Sequence, residues 1–246
     1  MDMPRRDRYR LLSTEVAERL QEFVLDGGYQ PGDKLPSERE LALKFDVSRT
    51  AIREGIKLLT QTGLLESSIG RGLYVGRLNT DPVLASLTVL LRVGGGTALD
   101  VVLVRNALEA LAARLAAIHA TEEELAELAG LLSELERMHQ AGEGYGQTGP
   151  AFHMAMARAS HNPLIVALLE PTLVLMYRVE QDTFVATPGT LRGLENHQRI
   201  YHAIANRDPD EAAAAIEDHC HYLMELRHQR MPDWEEIRVG TTSIAR

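Results

Sequence analysis

Two groups of residues in this sequence have the types and spacing that chemistry requires. The first is a knot of arginines and hydroxyls near the amino terminus. It comprises Ser48, Arg49, Thr50 and Arg53, with Arg39 upstream and Arg71 downstream inside Gly70-Arg-Gly72. An arginine fork can bond bidentately to guanine O6 and N7. Hydroxyls and unshielded glycine amides suit phosphate oxygens. The second group is His153, His197 and His219. Neutral imidazoles brought from separate helices into a bundle interior make a metal site. The plain readings stand beside these. A single arginine more often just solvates a surface, and nine histidines will supply some trio by chance.

The elements around the arginines decide how that first group reads. Val16, Leu20, Phe23 and Val24 share one helical face between Ser13 and Gly27, and Gly27-Gly28 ends the run. Ser37-Glu-Arg-Glu40 is a capping box, and the helix it starts buries Leu41, Ala42 and Phe45 before breaking at Asp46. Ser48 caps a further helix through Thr62, with an Ile52/Ile56/Leu59 stripe and Gly63 at the stop. Leu64-Leu-Glu and Leu73-Tyr-Val read as short strands flanking a glycine-rich tip at residues 69–72. Helix, turn, helix and hairpin together describe a winged helix-turn-helix. Its second helix would present Ser48, Arg49, Thr50 and Arg53 to the major groove, opposite its buried stripe. Four arginines at a helix start and a wing read as a DNA face.

A formal net charge of −9 over 246 residues looks unfavourable for such a partner, but the average hides a division. Residues 1–79 hold 13 basic and 12 acidic side chains, whereas residues 80–246 hold 13 and 23. Lys34, Lys44 and Lys57 are the only lysines and lie in the first part; every histidine lies in the second. Two modules are implied. The lone Cys220 excludes an internal disulfide and a four-thiolate metal site. Without a long apolar run or a leader-like start, the expectation is a cytoplasmic chain with no membrane partner.

Beyond Thr97 the pattern is helical almost throughout. Candidate helices span about 98–119, 121–141, 149–160, 163–185, 189–206 and 209–230, with breaks at glycine and proline positions. The expected fold is mainly α: a winged helix-turn-helix at 1–78, a linker or short hinge helix at 79–96, a six-helix bundle at 97–231 and an irregular tail at 232–246.

Gln30-Pro-Gly-Asp-Lys-Leu-Pro-Ser-Glu-Arg-Glu-Leu-Ala42, Val47-Ser-Arg-Thr-Ala-Ile-Arg-Glu54 and Gly70-Arg-Gly-Leu-Tyr-Val75 resemble the GntR family of bacterial transcription regulators. By position, the resemblance implies DNA contacts from Arg39, Ser48, Arg49, Thr50, Arg53, Gly70 and Arg71. Gly55 stands where such proteins often carry alanine. In the second module, Val104-Arg-Asn-Ala-Leu-Glu109, Phe152-His153, Ala159-Ser-His-Asn162, Glu195-Asn-His197 and His219 resemble the FCD ligand-binding domain of the FadR subfamily. The six-helix count suggests its VanR-like group. Many such domains hold a divalent metal through one aspartate and three histidines. His153, His197 and His219 match that pattern, but Gly149 occupies the aspartate position. Three imidazoles still suit Zn²⁺ or Ni²⁺ better than Mn²⁺. Arg105 would face the pocket and take an effector carboxylate, or else pair with Glu109 one turn on.

These implications define a homodimer that reads a pseudo-palindromic double-stranded DNA operator and represses until a small carboxylate-bearing effector releases it. One alternative makes the three-His site itself the sensor. Another, a metal-dependent hydrolase with a DNA-binding appendage, lacks HExxH; an aminotransferase-like domain using pyridoxal phosphate would need a Schiff-base lysine, and none follows Lys57. No catalytic residue is expected, and the chain is expected not to be an enzyme.

Overall fold

The first helix is longer than its apolar stripe. In the computed structural model, which describes residues 5–68, 72–76, 80–183 and 190–239 (side chains from Ser13 onward, and not those of 180–183), α1 spans Arg5–Asp26. The added turns, residues 5–12, are rich in arginine and leucine, residue types of good helix propensity. The chain then divides into two compact units, Met1–Pro82 and Val83–Arg246.

In the first unit, α2 (Glu38–Phe45) begins on the reciprocal cap expected of Ser37 and Glu40. The Ser37 amide donates to Glu40 Oε2 at 2.8 Å, and the Glu40 amide donates back to Ser37 Oγ at 3.3 Å. It ends at Asp46, held left-handed at φ 52°. Helix α3 (Arg49–Gln61) starts where the Ser48 hydroxyl accepts from the Ala51 amide at 3.1 Å. Strands β1 (Leu65–Ser68) and β2 (Gly72–Val75) pair antiparallel, with Leu65 opposite Val75. The turn segment before α2 joins the far edge of β2: Leu35 donates to Leu73 and Val75 to Asp33, both at 2.9 Å. Val16, Leu20, Val24, Leu41, Ile52, Ile56, Leu59, Leu65 and Leu73 form the shared core. Phe23 and Phe45, also counted into that stripe, are only partly buried and meet edge to face at 5.7 Å.

Helix α4 (Asp81–Gly94) starts two residues before the second unit, lies mostly within it and has no fully buried residue. Six helices follow: α5 (Ala98–His119), α6 (Glu122–Gln140), α7 (Thr148–Ala159), α8 (Pro163–Thr183), α9 (Leu191–Ala205) and α10 (Pro209–Arg230). Each lies within a few residues of its sequence-based span, because glycine, proline and capping residues mark the ends. Thr97 and Thr121 form capping boxes with Asp100 and Glu124, and Pro209 sits at the start of α10. Helix α5 packs against α7, α8, α9 and α10. Its small buried residues Ala112, Ala113, Ala116 and Ala117 let those neighbours approach closely. The segment after α10, read as irregular, is a 3₁₀ turn (Trp234–Glu236) that closes the unit. Trp234 is buried against Val101, Val102 and Met176, and the Val239 amide donates to the Gly96 carbonyl at 3.0 Å.

Candidate metal centre and nucleic-acid interface

His153 on α7, His197 on α9 and His219 on α10 converge inside the second unit, each no more than 3% exposed. One ring nitrogen from each lies within 4.8 Å of the others. The ring centroids are 5.4 Å apart for His153–His197, 5.2 Å for His153–His219 and 4.6 Å for His197–His219. The chance-trio reading thus gives way to a built cluster.

Hydrogen bonding sets which nitrogens are available. His197 Nδ1 lies 2.7 Å from the Gly193 carbonyl, an acceptor, so the proton is on Nδ1 and the Nε2 lone pair is left without a partner. Neither nitrogen of His219 has a hydrogen-bond partner among the described residues. His153 Nδ1 stands 3.1 Å from Glu109 Oε1, as in an ion pair, but off the line of a hydrogen bond. Burying a polar nitrogen unsatisfied costs about 1–3 kcal/mol. Several such nitrogens in one spot fit a divalent ion, which would take lone pairs from all three rings.

Burial also holds His197 and His219 neutral, the form that ligates. Desolvation, reinforced by the His153 ring, lowers the His197 pKa to about 3. Desolvation lowers that of His219 as well, aided by His197 and His153. Beside them Glu109 on α5 is fully buried. Burial alone would raise its pKa, but Arg105 and His153 outweigh that and bring it down to about 2. Arg105 Nε donates to Glu109 Oε1 at 2.9 Å. Of the two readings of Arg105, the structure shows the pair within its helix, made beside the histidine cluster. The Cys220 thiol points to Glu109 Oε2 at 3.6 Å, and burial followed by Glu109 pushes its pKa up.

Glu109 was not singled out as a member of this centre from the sequence. The signal was present: 105, 109, 112 and 116 fall on one face of α5, and two charged residues on an alanine stripe imply a buried polar site. His161, by contrast, pairs with Glu124 at 2.9 Å in a half-exposed position away from the trio. His202 and His221 are exposed.

In the first unit Ser48, Arg49, Thr50 and Arg53 are exposed on α3, on the side away from buried Ile52, Ile56 and Leu59. Ser48 also serves as the helix cap. Arg53 is not idle, since its Nη2 lies 2.9 Å from Glu38 Oε2, on an outward side chain 61% exposed. Arg39 is exposed on α2. Gly70 and Arg71 lie outside the described residues. Gly55 is buried where α3 crosses α1; a Cβ there would stand 3.0 Å from Val16 Cγ1 and 3.3 Å from the Ala17 amide nitrogen.

A winged helix-turn-helix joined to an all-α unit defines the class: a DNA-binding regulator. Residues 12–75 match the gntR family of bacterial regulatory proteins, and residues 100–222 match the FCD domain. The Glc operon transcriptional activator of Escherichia coli (strain K12) is 32% identical over 235 residues, 91% of each chain. The HTH-type transcriptional regulator LutR of Bacillus subtilis (strain 168) is 32% identical over 202 residues, 80% of this chain and 92% of that one. Among solved structures, a GntR protein of Streptococcus agalactiae superposes with a TM-score of 0.68 at 29% identity, covering 88% of this chain and 99% of that chain. The chain belongs to the GntR family of transcription regulators, with an FCD domain in keeping with the FadR subfamily. It is a regulator and not an enzyme, which disposes of the hydrolase alternative. No described helix is long and apolar enough to cross a membrane.

Proposed function

We propose that this chain is a homodimeric, effector-responsive regulator whose operator affinity is set by a small organic acid bound beside a divalent ion in the FCD domain. The observation that carries the reading is the buried cluster of His153, His197 and His219 with partnerless ring nitrogens, flanked by Arg105. When bound, Zn²⁺ or Ni²⁺ supplies a Lewis-acidic anchor for a carboxylate. The three imidazoles hold the ion, Glu109 orients the His153 ring, and Arg105 offers its fork to the acid's second oxygen. The ordinary workplace of such a protein is the cytoplasm.

On DNA, Arg49, Thr50 and Arg53 read base edges from the start of α3, Ser48 and Arg39 hold phosphates, and the wing residues Gly70 and Arg71 complete the contact. A second copy joins along α5, where Val104, Leu111 and Ile118 recur every seven residues, exposed, with Leu103 beside them. Apolar side chains at heptad spacing suit a self-complementary helix contact. Operator occupancy represses, and the effector relieves it.

The deciding experiment is a thermal-shift screen of sugar acids, hydroxy acids and dicarboxylates with added Zn²⁺, followed by operator gel shifts with the acids that stabilise. Stabilisation grows with the logarithm of ligand concentration over Kd, so even weak effectors register. The reading requires at least one acid that raises the melting temperature and lowers operator affinity. A reporter that falls when that acid is added would instead make the chain an activator, as the Glc operon relative is by name. The near-complete burial of the trio favours one second reading, the ion itself as signal. Chelator would then change DNA binding with no acid present.

A further inference from the structure

The arginines assigned to the DNA face belong to α2, to α3 and, by sequence, to the wing. One more cation of the first unit stands outside that set. Lys34 lies in the turn segment that joins the far edge of β2, where it pairs with Tyr74 across an antiparallel bridge. Tyr74 in turn lies opposite Glu66 of β1. Residues directly opposite one another on neighbouring strands share a face. The next residue, Leu35, is buried in the core, so alternation turns Lys34 to the outer face of the small sheet, where it is exposed.

The Lys34 side chain then runs along the wing. A Cβ at Gly72, the first residue of β2, would stand 3.5 Å from Lys34 Cε. Gly72 holds φ 109°, a conformation that glycine adopts readily, and its bare backbone leaves room for the lysine stem. The ammonium, one bond beyond Cε, is carried to the end of β2 at which the hairpin turns. Among the described residues Lys34 makes no side-chain hydrogen bond and no ion pair. Its neighbour Asp33 is occupied within its own turn, accepting from the Gln30 amide at 2.8 Å. Lys44 is the contrast, with its ammonium held over the Phe23 ring at 4.1 Å.

We propose that Lys34 is a phosphate-binding residue of the DNA complex, gripping the backbone beside the wing without reading sequence. This rests on the reading of α3 and the wing as the DNA face. A lysine is a compact point charge on a flexible stem, which suits a phosphate and lacks the fork that reads a base edge bidentately. Each phosphate so neutralised releases counterions, so Lys34 adds to the salt dependence of binding and serves every DNA sequence alike.

The test is fluorescence anisotropy with the full-length protein over a series of potassium chloride concentrations. Two duplexes are compared, one selected by the protein from random DNA and one scrambled from it at the same composition. Wild type is set beside Lys34→Gln, Lys34→Arg, Lys44→Gln and Arg49→Ala, each checked for native melting. Lys34→Gln should weaken binding to both duplexes by the same factor. It should also make the slope of log affinity against log salt shallower by about 1 for each protomer bound. Lys34→Arg should keep the wild-type slope, and so should Lys44→Gln, which removes the same charge elsewhere in the unit. A wild-type slope in Lys34→Gln, an equal fall in Lys44→Gln, or a loss confined to the selected duplex would overturn the proposal. Arg49→Ala reports separately on the face itself and should lose the preference for the selected duplex. A preference kept there would overturn the reading of α3, whatever Lys34 does.

Discussion

At the scale of single residues, the histidine cluster converts burial into pH dependence. His197 and His219 have pKa values lowered by folding, so between the folded and unfolded values the unfolded chain carries more protons. Stability of the metal-free second unit must therefore fall as pH drops below about 6.5, by about 1.4 kcal/mol per pH unit for each such histidine. The lowered Glu109 value acts in the same direction at more acid pH, where protonation removes its pairing with Arg105. Melting curves from pH 7.5 to 4 should show this decline, and a His197→Asn, His219→Asn double variant should flatten it. On the DNA side, Arg49→Ala should abolish specific operator binding in a gel shift while the protein stays folded. Glu38→Gln should strengthen DNA binding overall and steepen its salt dependence, because it frees Arg53 from an exposed and therefore weak ion pair.

At the scale of elements, what was legible in the sequence were the ends and faces of helices. Ser37, Ser48, Thr97, Thr121 and Asp208 cap helices through local hydrogen bonds, and such bonds depend on residues only two or three positions apart. The buried stripe of α3 was visible for the same reason. Contacts made across the chain were not. The hydrogen bonds from the turn segment at Asp33 and Leu35 to β2 leave no periodic trace. Nor does the packing of Trp234 under α5, since its residues carry no pattern of their own. In the candidate site, the three histidines were legible by spacing and resemblance, whereas the commitment of Glu109 to Arg105, His153 and Cys220 needed three helices in place. Gly55 belongs to this scale as well. An alanine would normally gain about 1 kcal/mol in a helix interior, but here its Cβ would press on Val16 and the α1 backbone. Gly55→Ala should therefore give no rise in melting temperature by calorimetry. A clear rise would contradict the close approach of α1 and α3.

At the scale of the whole molecule, charge is partitioned rather than averaged. The first 79 residues are nearly balanced and carry the exposed arginines of α3, while most of the net −9 belongs to the remainder. An acidic second unit would repel DNA phosphate, which under the proposed function leaves the contact to the arginine-bearing face of the first unit. Assembly adds the next level. Leu111→Glu places a charge in the middle of the exposed apolar stripe of α5, and it should weaken the proposed dimer about tenfold or more, because a desolvated charge without a partner costs several kcal/mol. Sedimentation equilibrium would read this directly. The variant should also lose affinity for a two-half-site operator more than for a single half-site.

The central claim is that chemistry inside the FCD domain sets DNA affinity. It is tested most directly by fluorescence anisotropy on a duplex selected by the protein from random DNA. Affinity is measured with Zn²⁺ and the acid that most raises the melting temperature, then with chelator and no acid. Coupling between sites is typically about 5–150-fold, and a change of that size should appear in wild type and vanish in His219→Ala. Identical affinities under both conditions, in a wild-type protein that demonstrably binds the acid, would contradict the account.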